Sequence, residues 1–191
     1  AATTRGSADL AVAADELLSA EALFEQADVN TTTAPEHVNR LLGQLGLAIA
    51  SRQWDRASSV RQRILRIGLT TSVDRANFDR READRALRCG DAVSAADYFE
   101  SARTRYQHAG ERSAAAACTR ARADAAALQG DGGRAWSLYR TAMNAHAADG
   151  DWLGLARTLE HIAHLDRSRG NNEESAELLD LSRELTIAGG G

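Results

Sequence analysis

Residues 90–131, GDAVSAADYFESARTRYQHAGERSAAAACTRARADAAALQGD, begin and end on a Gly-Asp pair and carry Gly110-Glu111 halfway. Glycine can take the left-handed conformation that stops a helix, and an aspartate behind it can accept hydrogen bonds from the first amides of the next one. Each pair therefore reads as a tight turn between antiparallel helices. The punctuation continues beyond the stretch with Gly150-Asp151 and Gly170-Asn171, so that Gly90, Gly130 and Gly170 are equally spaced, with Gly110 and Gly150 midway between them. That is an internal repeat of two helices per unit.

The segments after these turns share a pattern of a small residue, a large one four on and a small one three further: Ala95-Phe99-Ala102, Ala135-Tyr139-Ala142, Ser175-Leu179-Ser182. Steps of four and three stay on one helical face. Small residues let a neighbouring helix come close while the large one fills the groove between them. Working backwards, Ala57-Arg61-Ile64 and Ala20-Phe24-Ala27 extend the series, the arginine being a departure. The spacing predicts helices over 7–28, 35–51, 54–68, 73–89, 92–109, 112–129, 132–149, 152–169 and 172–188. Thr33 and Glu36 have capping-box spacing around Pro35, the only proline, as do Asn171 and Glu174 at the last helix. Residues before Ser7, and the terminal Ala188-Gly189-Gly190-Gly191, read as frayed ends or linker joins.

Composition agrees with helices. In 191 residues there are nine aromatics and one proline, which fits poorly with a β-sandwich or a Pro-rich disordered chain. All 23 basic residues are arginine, against 27 acids, for a net charge of −4, so this is no nucleic-acid-coating basic protein. Alanine richness without lysine suggests a GC-rich bacterial source. No stretch is apolar enough to span a membrane, and no signal peptide opens the chain. Residue 1 is Ala, as in a trimmed product or a domain excised from a longer protein.

The Gly-Asp turn, the alanine five residues past the glycine, the aromatic four later and the alanine three later resemble the second helix of the tetratricopeptide (TPR) repeat, over roughly 36–188. First-helix positions depart from that pattern: Asp79 and Thr119 stand where a large apolar residue belongs, Glu82 and Arg122 where Leu does, and the period exceeds the family's usual step of about 34. The resemblance implies an all-α, right-handed solenoid of antiparallel helix hairpins. Residues 1–34 would form an N-terminal helix and linker loop, packed as one domain with an array of about four hairpins over 35–191. It also implies a concave groove, lined by the first helices, that takes an extended peptide or a partner's helix.

Carried over from the Gly-Asp phase, the groove positions are Arg80, Asp84, Arg88, Arg120, Asp124, Glu160, His164 and Arg167. Independently of the family, Arg80, Arg120 and Glu160 recur with the same period as the glycines, as do Asp84, Asp124 and His164, and each member of the first column lies four before its partner in the second. Such a stripe is either a solvated row of weak ion pairs or a polar ladder that grips a partner's backbone and charges. Charge is uneven along the chain: residues 52–88 hold 10 Arg and 5 acids, whereas 1–51 hold 2 Arg and 7 acids. Arg81, Arg85 and Arg88 on one face would suit an acidic or phosphorylated segment, or pair with the interleaved Asp79, Glu82 and Asp84, or with the acidic ends of a second copy.

The chemistry-bearing motifs are few. There is no GxGxxG, no phosphate-binding GxxxxGK[ST] in a chain without lysine, and no GxSxG. His161 and His164, one turn apart beside Glu160 and Asp166, could hold a divalent metal, but they lack the spacing of a zinc-protease helix and read as an exposed face. Cys89 and Cys118 read as small buried residues in a reducing, cytoplasmic compartment. Trp54, Trp136 and Trp152 at hairpin starts, and Tyr98, Phe99, Tyr106 and Tyr139 on second helices, read as interhelical packing rather than a nucleic-acid platform. The expectation is a non-enzymatic interaction module without cofactor or metal, binding a protein or peptide with an acidic segment, neither nucleic acid nor membrane, with a homo-oligomer open. It would belong to a larger bacterial regulatory protein. The competing expectation is a ligand-sensing domain that closes on a small molecule or signalling peptide.

Overall fold

The computed structural model describes residues 34–189. Among them it contains eight helices and no strand: α1 (Ala34–Ala50), α2 (Trp54–Ile67), α3 (Ser72–Arg88), α4 (Ala92–His108), α5 (Arg112–Leu128), α6 (Gly132–Asp149), α7 (Trp152–Ser168) and α8 (Asn172–Gly189). Each end falls within one residue of the position that the turn residues predict. The helix expected over 7–28, its Ala20-Phe24-Ala27 set and Thr33 of the proposed capping box lie outside the described residues. No described helix is long and apolar enough to cross a membrane.

The turns work as their sequence requires. Gly90 and Gly130 have φ of 81° and 78°, and the amides of Asp91 and Asp131 bond back to the carbonyls of Ala86 and Ala126 at 2.9 and 3.0 Å. These are Schellman closures. The side chains of Asp91 and Asp131 then accept from the amides of Ser94 and Arg134, both at 3.0 Å. Glu111 holds nearly the same backbone angles before α5 but makes no side-chain cap, its carboxylate being one methylene too far out. Glu111→Asp should therefore stabilise the protein by about 0.5–1 kcal/mol in urea titration. Arg52 turns the chain between α1 and α2 with φ of 58°, where the other hairpins use glycine. At the start of α3 a reciprocal box forms without being anticipated: Asp74 N donates to Thr71 Oγ1 at 2.9 Å and Thr71 N to Asp74 Oδ2 at 3.1 Å.

The chain divides into two compact units between Asp74 and Arg75. In the first, α1 and α2 pack as a hairpin. α1 buries Val38, Leu41, Leu45 and Ile49, and α2 buries Ala57, Val60 and Ile64, each set on one face by steps of three and four. In the second unit, α4 packs on α5, α5 on α6, α6 on α7 and α7 on α8, with a lighter contact between α5 and α7. Ala95, Phe99 and Ala102, like Ala135, Tyr139 and Ala142, are buried, and so are Ser175 and Ser182, while Leu179 between them is half-buried. Ala123, Ala126, Ala135, Tyr139 and Ile162 form one core cluster, against which Leu138, Met143, Leu165 and Leu178 pack. The alanines bring the backbones close, and the few large side chains interlock between them.

The departures from the repeat pattern engage polar partners, although Glu82 Oε1 and Arg122 Nε are buried without a hydrogen bond. Asp79 accepts from Ser101 Oγ at 2.7 Å and Arg105 Nε at 3.0 Å. Arg122 reaches Glu100 at 2.6 Å, and the same carboxylate is gripped by Arg103. Glu82 and Asp84 pair along α3 with Arg85 and Arg81 at 3.3 and 3.6 Å, the intrahelical alternative for that basic face.

Two expectations need correction. Trp54, Trp136 and Trp152 are 37, 42 and 47% exposed. Trp54 and Trp152 are first residues of their helices, where the turn faces solvent, and Trp136 is one helical step around from buried Ala135. Cys89 is exposed at the end of α3, whereas Cys118 is buried and burial pushes its thiol up to about 11. His161 keeps 37% of its side chain exposed and His164 is exposed, as an open face implies, while both ring nitrogens of His161 are engaged by neighbouring side chains.

Candidate functional site

On α5, residues 113, 117, 120, 124 and 127 succeed one another by four and three and so share a face; on α7, residues 154, 157, 161, 164 and 168 do the same. These faces, with part of α3, border two adjoining hollows. The first, of about 400 Å³, is lined by Arg80 of α3, Ser113, Ala117 and Arg120 of α5, His146 of α6, and Asp151, Gly154 and Arg157 at the start of α7, with Glu111 at its rim. The second, of about 370 Å³, is lined by Asp124, Tyr139, His161, His164 and Leu165.

A polar cluster divides them. Asp124 Oδ1 accepts from the Tyr139 hydroxyl at 2.5 Å and from His161 Nδ1 at 2.6 Å, and Arg120 lies 3.8 Å from Oδ2. The same guanidinium donates to His161 Nε2 at 2.6 Å, which fixes the imidazole proton on Nδ1. Burial and then the Asp124 charge push the Tyr139 phenol far above its usual range, so it stays a donor. Arg120 is thus held rigidly, with its planar group at the edge of the first hollow.

The base of that hollow is built around Asp151. One carboxylate oxygen accepts from Gly154 N at 2.8 Å, capping α7, and the other accepts from the Ser113 hydroxyl and from His146 Nδ1 at 2.9 Å. His146 is 1% exposed and its Nε2 has no hydrogen-bond partner. Because the Ser113 hydroxyl is committed to Asp151 and not to the imidazole, no activated nucleophile results. Gly154 is required by space: a Cβ there would overlap His146 Nδ1 and Asp151 Oδ2.

Burial, chiefly, lowers the His146 pKa from 6.5, against the opposing pull of Asp151. Burial raises the Asp151 carboxyl, but the bonds from Ser113, Gly154 and His146 outweigh it and leave it below its usual range. The folded state therefore binds fewer protons than the unfolded chain once pH falls below about 6.5, and stability declines from there downward. One such group gives at most about 1.4 kcal/mol per pH unit. Urea melts between about pH 7.5 and 5 should show this slope, and His146→Asn, which keeps a donor towards Asp151, should flatten it.

Of the groove residues expected from sequence, Arg80 and Arg120 meet in the first hollow, and Asp124 and His164 line the second. The others do not join them. Asp84 is half-buried beside Arg81, and its burial raises its pKa despite Arg80, Arg81 and Arg88. Arg88 and Arg167 are exposed outside both hollows. Glu160 accepts from Ser182 Oγ of α8 at 3.1 Å, since its position turns towards α8 rather than α5. Sequence reasoning missed Arg157, His146, Asp151, Tyr139 and His161. One signal was available: His146 stands one full repeat after Tyr106, so a buried ring was due there.

Comparison of the chain with protein-family models, with curated proteins and with solved structures finds no match.

Proposed function

We propose that this protein is a non-enzymatic interaction module, a TPR-like right-handed solenoid whose first helices take a protein or peptide partner bearing an acidic segment, within a larger bacterial regulatory protein. The observation that carries the reading is the convergence of Arg80, Arg120 and Arg157, from α3, α5 and α7, on one hollow. Arg157 is exposed and has no ion-pair or hydrogen-bond partner among the described residues, so its donors are available to a ligand. Guanidinium groups held by a rigid scaffold suit carboxylates, which they bind through paired hydrogen bonds. A hollow of about 400 Å³ receives side chains rather than a folded domain, so the partner enters as an extended segment or one helix face.

The test uses a partner recovered from the source lysate. Arg80→Ala/Arg157→Ala should keep full helicity by circular dichroism, lose at least tenfold in partner affinity and bind with a weaker salt dependence. Arg140→Ala, an exposed residue of α6 outside both hollows, should change affinity less than twofold. Undiminished binding by the double variant would move the partner to another surface.

A further inference from the structure

The first hollow contains a group that gripping an acidic segment does not call for. His146 is 1% exposed, it lines the hollow, and its Nε2 has no partner. A buried histidine that is needed only for packing could be replaced by an apolar ring, as Phe99 is used elsewhere. Here Nδ1 is anchored on Asp151, which orients the ring and leaves Nε2 as the atom whose protonation state can change.

We infer that this hollow is a proton-linked anion site: a carboxylate or other small anion held by Arg80, Arg120 and Arg157 favours protonation of His146 beneath it, so that binding takes up a proton and tightens as pH falls. The charge environment supplies the reason. The groups around the imidazole are Arg120 and Glu111 from the α5 side, Arg80 from α3, Arg157 from α7, Asp149 on α6 itself and Asp151 in the following turn. After burial, Arg120 opposes a further positive charge on His146, and Arg80 and Arg157 line the same hollow. An anion seated among them cancels that repulsion in a site partly shielded from water, where such effects are strong. The coupling is reciprocal: what the anion does for the proton, the proton does for the anion. The inference holds whether the anion belongs to a polypeptide side chain or is a free small molecule.

Sulfate is the probe, because its charge is constant over the range of interest. Calorimetric titration at constant ionic strength should show binding at least about threefold tighter at about pH 5.5 than at about pH 7.5, with uptake of up to one proton seen as a dependence on buffer ionisation enthalpy. Arg157→Gln should abolish binding at both pH values. His146→Asn should bind sulfate with no pH dependence; should that variant not fold, the imidazole resonances of His146 in the parent protein give the same answer, moving to a higher titration midpoint with sulfate present. Pentaglutamate competing far better than glutarate would assign the site to polypeptide carboxylates, and equal competition would assign it to a free anion. Equal affinity at both pH values, pH dependence surviving in His146→Asn, or sulfate binding unaffected by Arg157→Gln would each overturn the proton-linked site.

Discussion

Replacing Gly154 with alanine should destabilise the protein by about 3 kcal/mol, an unusual loss for one added methyl group on a helix that ordinarily favours alanine over glycine. The propensity gain of about 1 kcal/mol is outweighed because the new Cβ would occupy space already held by His146 Nδ1 and Asp151 Oδ2. Neither neighbour can yield cheaply. His146 is buried, and Asp151 is fixed by Ser113, Gly154 N and the imidazole. Relief would break the cap of α7 and leave buried polar atoms unpaired. The loss would appear as a fall in the urea midpoint at pH 7.5. A change below about 0.5 kcal/mol would mean that α7 can slide away from α6 without penalty.

The second large effect is expected at Asp124. Asp124→Ala removes the acceptor for the Tyr139 hydroxyl and His161 Nδ1, and leaves Arg120 without its counter-charge. Tyr139 is 3% exposed, so water does not easily replace the lost partner. About 2–3 kcal/mol should be lost, with Asp124→Asn losing roughly half as much because it keeps one oxygen acceptor. The two variants also separate geometry from charge in the hollow above. If Asp124→Asn and Asp124→Ala were equally damaging, the carboxylate charge and not the hydrogen bonds would be organising the cluster.

These two residues illustrate different degrees of legibility. Asp124 belonged to a polar column that keeps the period of the turn glycines, so its presence on the first-helix face could be read directly, though its partners could not. Gly154 carried no signal. It is not a turn glycine, and its necessity comes from His146, eight residues earlier across a helix turn. Glu160 was legible as Asp124 was, sharing its phase with Arg80 and Arg120, yet it engages Ser182 because α8 offers a hydroxyl within reach. A residue's phase on its helix fixes the direction in which it leaves the backbone, not what it meets.

The sequence by itself determined the eight described helices, their ends and their hairpin order, because those depend on local events: glycine at a left-handed stop, aspartate at a cap, small and large residues three and four apart. Tertiary structure alone decided which arginines converge, that Arg157 joins Arg80 and Arg120 while Arg88 and Arg167 do not, that His146 is buried against Asp151, and that the tryptophans lie open to solvent. Those outcomes depend on the distance and rotation between helices, set by how alanine faces and a few large side chains interlock. A one-dimensional period carries the angle around each helix axis but not the approach of one axis to another.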